Sequence, residues 1–113
     1  MAYYHQLRIY HLAQHILRDI ATITDSTKGF GDLHNQIRRA AVSVVSNICE
    51  GAASGSDRSF IRYLHIARSS CHEMQGQLEI LCGLGSLHTQ HPVHDRCDHL
   101  ARSISALIRT LSG

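Results

Sequence analysis

Apolar residues recur along this chain at steps of three and four, in four separate stretches divided by polar or glycine-bearing breaks. Over residues 5–24, Ile9, Leu12, Ala13, Ile16, Ile20 and Ile23 fall on one side, with His11, His15, Arg18 and Thr22 on the other. That spacing matches the helical period and predicts an amphipathic helix. Asp25, Ser26, Gly29 and Gly31 then interrupt it as a turn. A second stripe over residues 33–53 is formed by Ile37, Ala41, Val44, Ile48 and Ala52. Asp32 is its expected N-cap, with Asn35 or Gln36 near the capping-box position, and Ser54-Gly55 ends it.

The third stripe, over residues 57–84, is close to a heptad repeat: Phe60, Leu64, Ala67, Cys71, Met74, Leu78 and Leu81. Ser56 is its expected N-cap, and Asp57 suits the positive end of the helix dipole. Gly76 interrupts it, which predicts a close helix approach there. Gly83 and Gly85 end it. The fourth stripe, over residues 92–111, opens on Pro92, whose missing N–H costs nothing in a first helical turn. Val93, Cys97, Leu100, Ile104, Leu107 and Leu111 form its apolar face. Three short connections make consecutive helices antiparallel neighbours. The expected fold is all-α: one domain over residues 1–113, an antiparallel up-down-up-down four-helix bundle.

Composition agrees. Apolar residues are 43 % and charged residues 18 % of 113, which excludes a disordered chain. No apolar run approaches the roughly 20 residues of a membrane span. The first five residues lack the basic-then-apolar order of a secretion signal, so a cytoplasmic protein is expected. Cys49, Cys71, Cys82 and Cys97 form no C-x-x-C pair and sit in apolar helical patterns, as buried free thiols in a reducing compartment would.

The second helix carries more polarity than its stripe requires. Gln36, Arg39, Ser43, Asn47 and Glu50 cluster within an arc of about 80° that borders the apolar face rather than opposing it. A solvated face is one reading. Serine and asparagine in place of lysine and glutamate favour the other, a buried or subunit-facing hydrogen-bond network that fixes register. On the third helix Arg62, His65, Ser69, His72, Glu73 and Gly76 lie opposite the core stripe and face either solvent or another subunit.

These residues also carry a resemblance. Gln36-Ile37-Arg38-Arg39-Ala40-Ala41-Val42-Ser43, then Asn47-Ile48-Cys49-Glu50-Gly51, then Phe60, Leu64-His65-Ile66-Ala67, Ser70 and Glu73 follow in order. The chain thereby resembles the four helix bundle protein family, also called the 23S rRNA intervening-sequence protein family. The match is dense over the second and third helices. It is looser in the first, through Tyr3-Tyr4 and Leu7 to Tyr10, and the last 25 or so residues carry no motif. The resemblance implies a small helical bundle assembling as a homopentameric ring; no enzymatic activity is established for the family, and its general role is unknown. A related group, the accessory variability determinants of diversity-generating retroelements, binds a reverse transcriptase and nucleic acid. The resemblance thus implies RNA or DNA, or a nucleic-acid enzyme, as ligand. Gln36, Ser43, Asn47, Glu50, Ser70 and Glu73 are its expected structural or oligomer network. One departure weakens the nucleic-acid reading: the loop from Ala52 to Ser59 holds one basic residue, Arg58, where members often carry a basic stretch.

Charge adds little. Ten arginines, one lysine and nine acidic residues give a net charge of +2. Arg38 and Arg39, supported by Arg58, Arg62 and Arg68, are the candidates for phosphate or an acidic partner, because a guanidinium fork grips phosphate with two prongs. Arg38 lies about 100° around the helix from Arg39, so the two are expected to do different jobs. The alternative for Arg39 is an intramolecular or intersubunit bond to Glu50 or Asn47. With two Phe, four Tyr and no Trp there is little to stack bases, so nucleic acid would be held through phosphates and in a salt-sensitive way. A protein adaptor without nucleic-acid affinity is the alternative. No nucleotide loop or catalytic signature occurs, and no enzyme activity or cofactor is expected. His11 with His15, His91 with Asp95, and His94 with Asp98 have chelating spacing, but no third ligand follows and no metal site is assigned.

Overall fold

The computed structural model describes residues 2–26 and 31–113, with side chains from residue 8 onward. It contains four helices, α1 (Ala2–Ser26), α2 (Gly31–Ala53), α3 (Asp57–Gly83) and α4 (Pro92–Ser112), and no strand among the described residues. α1 packs against α2 and α4, and α3 against α2 and α4, while the diagonal pairs stay apart. Consecutive antiparallel helices therefore close a bundle of 44 × 23 × 18 Å. The turn expected at Gly29 lies outside the described residues, as do the side chains of Tyr3, Tyr4 and Leu7.

The four stripes meet in one core. Ile16, Ile20, Ile37, Ile48, Leu64, Leu78, Leu81, Leu100 and Ile104 are at most 1 % exposed. Burial of each such side chain stabilises the fold by about 1.5–3 kcal/mol, so the core and not helix propensity holds the helices together. Across the α1–α4 seam Arg96 donates to Asp19 at 2.7 Å.

Several expectations need correction. α1 runs two residues past its expected end, and α2 begins at Gly31, two residues early. Asp32 therefore lies in the first turn rather than at the N-cap, and accepts the Gln36 amide at 2.8 Å. Ala52 is exposed, because it lies in the last turn of α2 beyond the end of the core. Cys49 is exposed as well, about 100° around the helix from buried Ile48. Gly76 has no neighbour within 4 Å of where a Cβ would stand, since it faces outward. The close approach occurs at Gly51, where a Cβ would meet Phe60 Cδ1 at 2.7 Å and Tyr63 Cβ at 2.8 Å. Ser56 is the N-cap of α3 as expected, accepting the Ser59 N–H at 3.1 Å.

Candidate functional site

The polar residues at the edge of α2 come together with α3. Ser43 sits opposite Ser70, their hydroxyl oxygens 2.8 Å apart. The Asn47 amide donates to the Ser43 carbonyl at 2.8 Å and to the Ser43 hydroxyl at 3.1 Å. All three are half-buried, because small side chains let the two helices approach. Gln36, Arg39, Ala40 and Glu73 join Ser43 and Ser70 around an open groove of about 280 Å³ on the outside of this seam. Gln36 bonds to Asp32 rather than to α3. Arg39, Glu50 and Glu73 are exposed and form no ion pair or hydrogen bond among the described residues, so neither the Arg39–Glu50 nor the Arg39–Asn47 bond forms within the chain. Val42 (49 % exposed) lines a hollow with Arg39 and Ser43, and Ile66 (45 %) lies one helical turn from Ser70 on α3.

The five candidate arginines fall into different environments. Arg38 is committed within the chain: its Nε donates to Thr24 Oγ1 at 2.7 Å and its Nη2 to Asp25 at 3.0 Å, tying α2 to the end of α1. Arg68 is half-buried and donates to Ser105 on α4 at 3.1 Å, with its other nitrogen 2.9 Å from His65 Nδ1. Arg39, Arg58 and Arg62 are exposed. Arg58 and Arg62 border a shallow hollow with His65, and the Arg62 guanidinium lies 5.5 Å from the centre of the Tyr63 ring. The Arg39 groove, at Glu73, lies about 16 Å along α3 from Arg62 by the helical rise, and farther from Arg58.

The sequence profile of the 23S rRNA-intervening sequence protein family matches residues 5–108. The chain belongs to this family. A crystal structure of a protein of unknown function from the S23 ribosomal protein family of Bacteroides thetaiotaomicron superposes with a TM-score of 0.84. That chain is 17 % identical, and the alignment covers 93 % of this chain and 98 % of the other, so the two share the fold. No curated protein matches the sequence significantly.

Other side chains acquire roles that stripe counting did not assign. His91 is the N-cap of α4, its Nδ1 accepting the Val93 N–H at 3.0 Å, and His88 Nδ1 accepts the Gln90 N–H at 2.9 Å. Position just ahead of Pro92 was the available signal for His91. No three side chains of the metal-binding types converge among the described residues. No helix there is long and apolar enough to cross a membrane. Burial raises the Cys97 thiol to about 12, with the Cys71 and Asp19 charges adding to it. Burial likewise raises Cys71 to about 11, helped by the Asp98 carboxylate. Both thiols are neutral and inert in the folded chain.

Proposed function

We propose that this family member is a non-enzymatic cytoplasmic scaffold that associates with copies of itself, as a homopentamer, and binds nucleic acid or an enzyme acting on it. The observation that carries the reading is the outer α2–α3 seam. Arg39, Glu50 and Glu73 stand exposed along these two helices with no ion pair or hydrogen bond among the described residues, and Val42 and Ile66 are exposed on the same helices. Charged groups flanking an apolar contact are what a specific interface presents, the apolar part giving affinity and the charges giving register. Arg39, Arg58 and Arg62 supply the free guanidinium groups for phosphate. Arg38 and Arg68 contribute by holding α1 and α4 in place, since two nitrogens of each guanidinium are already engaged.

The second reading, a protein adaptor without nucleic-acid affinity, has one observation in its favour. Glu73 lines the same groove as Arg39, and its carboxylate repels a phosphate there. Light scattering at micromolar concentration tests the assembly; a monomer would end it. Filter binding of rRNA and single-stranded DNA at about 50 and 200 mM salt tests the ligand, because phosphate contacts make affinity fall steeply over that range. Binding that disappears with Arg39→Ala and Arg62→Ala supports nucleic acid. Absence of binding at both salts supports the adaptor.

A further inference from the structure

The corner between α3 and α4 brings a thiol against an imidazole. Cys82 Sγ lies 3.4 Å from His94 Nε2, and the same nitrogen lies 3.2 Å from the backbone carbonyl oxygen of His88. Cys82 and His94 are both half-buried. The backbone holds them firmly. α3 ends in a Schellman motif: Gly85, at φ +76°, donates to the Cys82 carbonyl at 3.0 Å and Ser86 to the Leu81 carbonyl at 2.9 Å. α4 starts on the His91 cap with Pro92 as its first residue, which places His94 in the first turn of the helix. The rings of His88 and His91 are occupied by the connection itself, through their bonds to Gln90 and Val93.

Sulfur, ring nitrogen and carbonyl oxygen meet at this corner, and all three bear lone pairs. With hydrogen on Nε2, a single N–H is shared between the carbonyl oxygen and the weakly accepting sulfur; a cation in its place would take a lone pair from each of the three. The spacing fits one geometry. Bonds of about 2.3 Å to sulfur and about 2.05 Å to nitrogen at a tetrahedral zinc angle put the two atoms about 3.6 Å apart, against the 3.4 Å seen.

We propose that Cys82 Sγ, His94 Nε2 and the carbonyl oxygen of His88 form a binding site for a divalent thiophilic cation of the zinc class, with solvent completing the tetrahedron. The Cys82 S–H bond breaks as the S–metal bond forms, releasing one proton per ion, and the remaining imidazole hydrogen rests on Nδ1. With only two side-chain donors the site is weaker than a closed structural one of four, and its ion is exchangeable. Among the described residues no other thiol bonds an imidazole: Cys71 and Cys97 lie in the core, with Cys71 on the Cys97 carbonyl, and Cys49 stands exposed on α2.

The test is titration of the tag-free, reduced chain with Co²⁺, then displacement by Zn²⁺. We expect one ion per chain, a near-ultraviolet thiolate-to-cobalt band, and loss of that band in Cys82→Ser but not in Cys49→Ser. His94→Gln should weaken Zn²⁺ binding by about 10–100-fold or more, since even outer-shell changes reach that range. No sulfur band in the intact chain, or a band that survives Cys82→Ser, overturns the site. Should the Ser variant lose its helical circular dichroism, protection of Cys82 from alkylation by Zn²⁺ in the unaltered chain, read by mass spectrometry, decides the matter; equal alkylation with and without the ion overturns the site.

Discussion

The Ser43 and Ser70 hydroxyls meet at 2.8 Å across the α2–α3 seam, and the Asn47 amide closes on the same Ser43 oxygen. Apolar stripes of near-heptad spacing can slide by a turn with little change in buried area. A directional bond between two short side chains fixes one register. Ser43→Ala removes the shared atom and should lower stability by about 1–2 kcal/mol. Ser70→Ala should cost about 1 kcal/mol, and the double substitution less than the sum of the two. Urea denaturation of the four proteins checks the coupling; strict additivity would show that the hydroxyls do not share a bond.

Two glycines in helices should respond in opposite directions. At Gly51 a methyl group would meet the Tyr63 Cβ at 2.8 Å, an atom that moves only if α3 moves. Gly51→Ala should destabilise by about 1–3 kcal/mol, the usual effect of overpacking. Gly76 faces open space, so Gly76→Ala should stabilise by about 1 kcal/mol through helix propensity alone. Thermal melts of both variants separate packing from propensity.

Asp19 and Arg96 bind at 2.7 Å with side chains 15 % and 30 % exposed, the one short ion pair found between α1 and α4 among the described residues. Partial solvent access reduces its worth below that of a fully buried pair. Asp19→Ala should still cost about 1–2 kcal/mol, because it strands a half-buried guanidinium. Arg96→Ala should cost about as much, and the double variant should recover part of the loss. Chemical denaturation of the three variants measures this, and full additivity would rule out the pairing.

Alkaline pH should destabilise the fold. Unfolded, both core thiols ionise near their ordinary value of 9.0, while in the folded chain Cys71 is raised to about 11 and Cys97 to about 12. The unfolded state therefore loses protons first as pH rises. The stability these neutral thiols contribute is complete below pH 9.0, declines above it, and is lost as pH passes the folded values. Urea midpoints should fall between about pH 9 and 11, and the fall should be shallower in Cys97→Ala. A midpoint independent of pH over that interval would contradict the burial of these groups.

Much of the fold was legible before any coordinates, because a buried helix face must repeat at the helical period. All seven residues from Phe60 to Leu81 in the α3 stripe are buried, as are Val93, Cys97, Leu100, Ile104 and Leu107 in α4. Errors fell where one stripe could not see its neighbour. Cys49 looked apolar yet points outward, and Gly76 looked like a contact while Gly51 is one. Of the candidate site, the angular cluster from Gln36 to Glu50 was visible as a line beside the core. Which of its members bond to α3 was not. Arg38 and Arg39 were separable by angle, but the engagement of Arg38 with Thr24 and Asp25 depends on where α1 ends.

Four amphipathic helices, and the face of each that would be buried, follow from local residue order, since periodicity and capping act over a few neighbouring residues. That Ser43 bonds Ser70, that Arg68 reaches Ser105, and that Cys82 meets His94 followed from helix packing alone. Those pairings join different helices, and their distances depend on how the helices cross, turn and end. Local spacing carries no information about a partner supplied by another part of the chain.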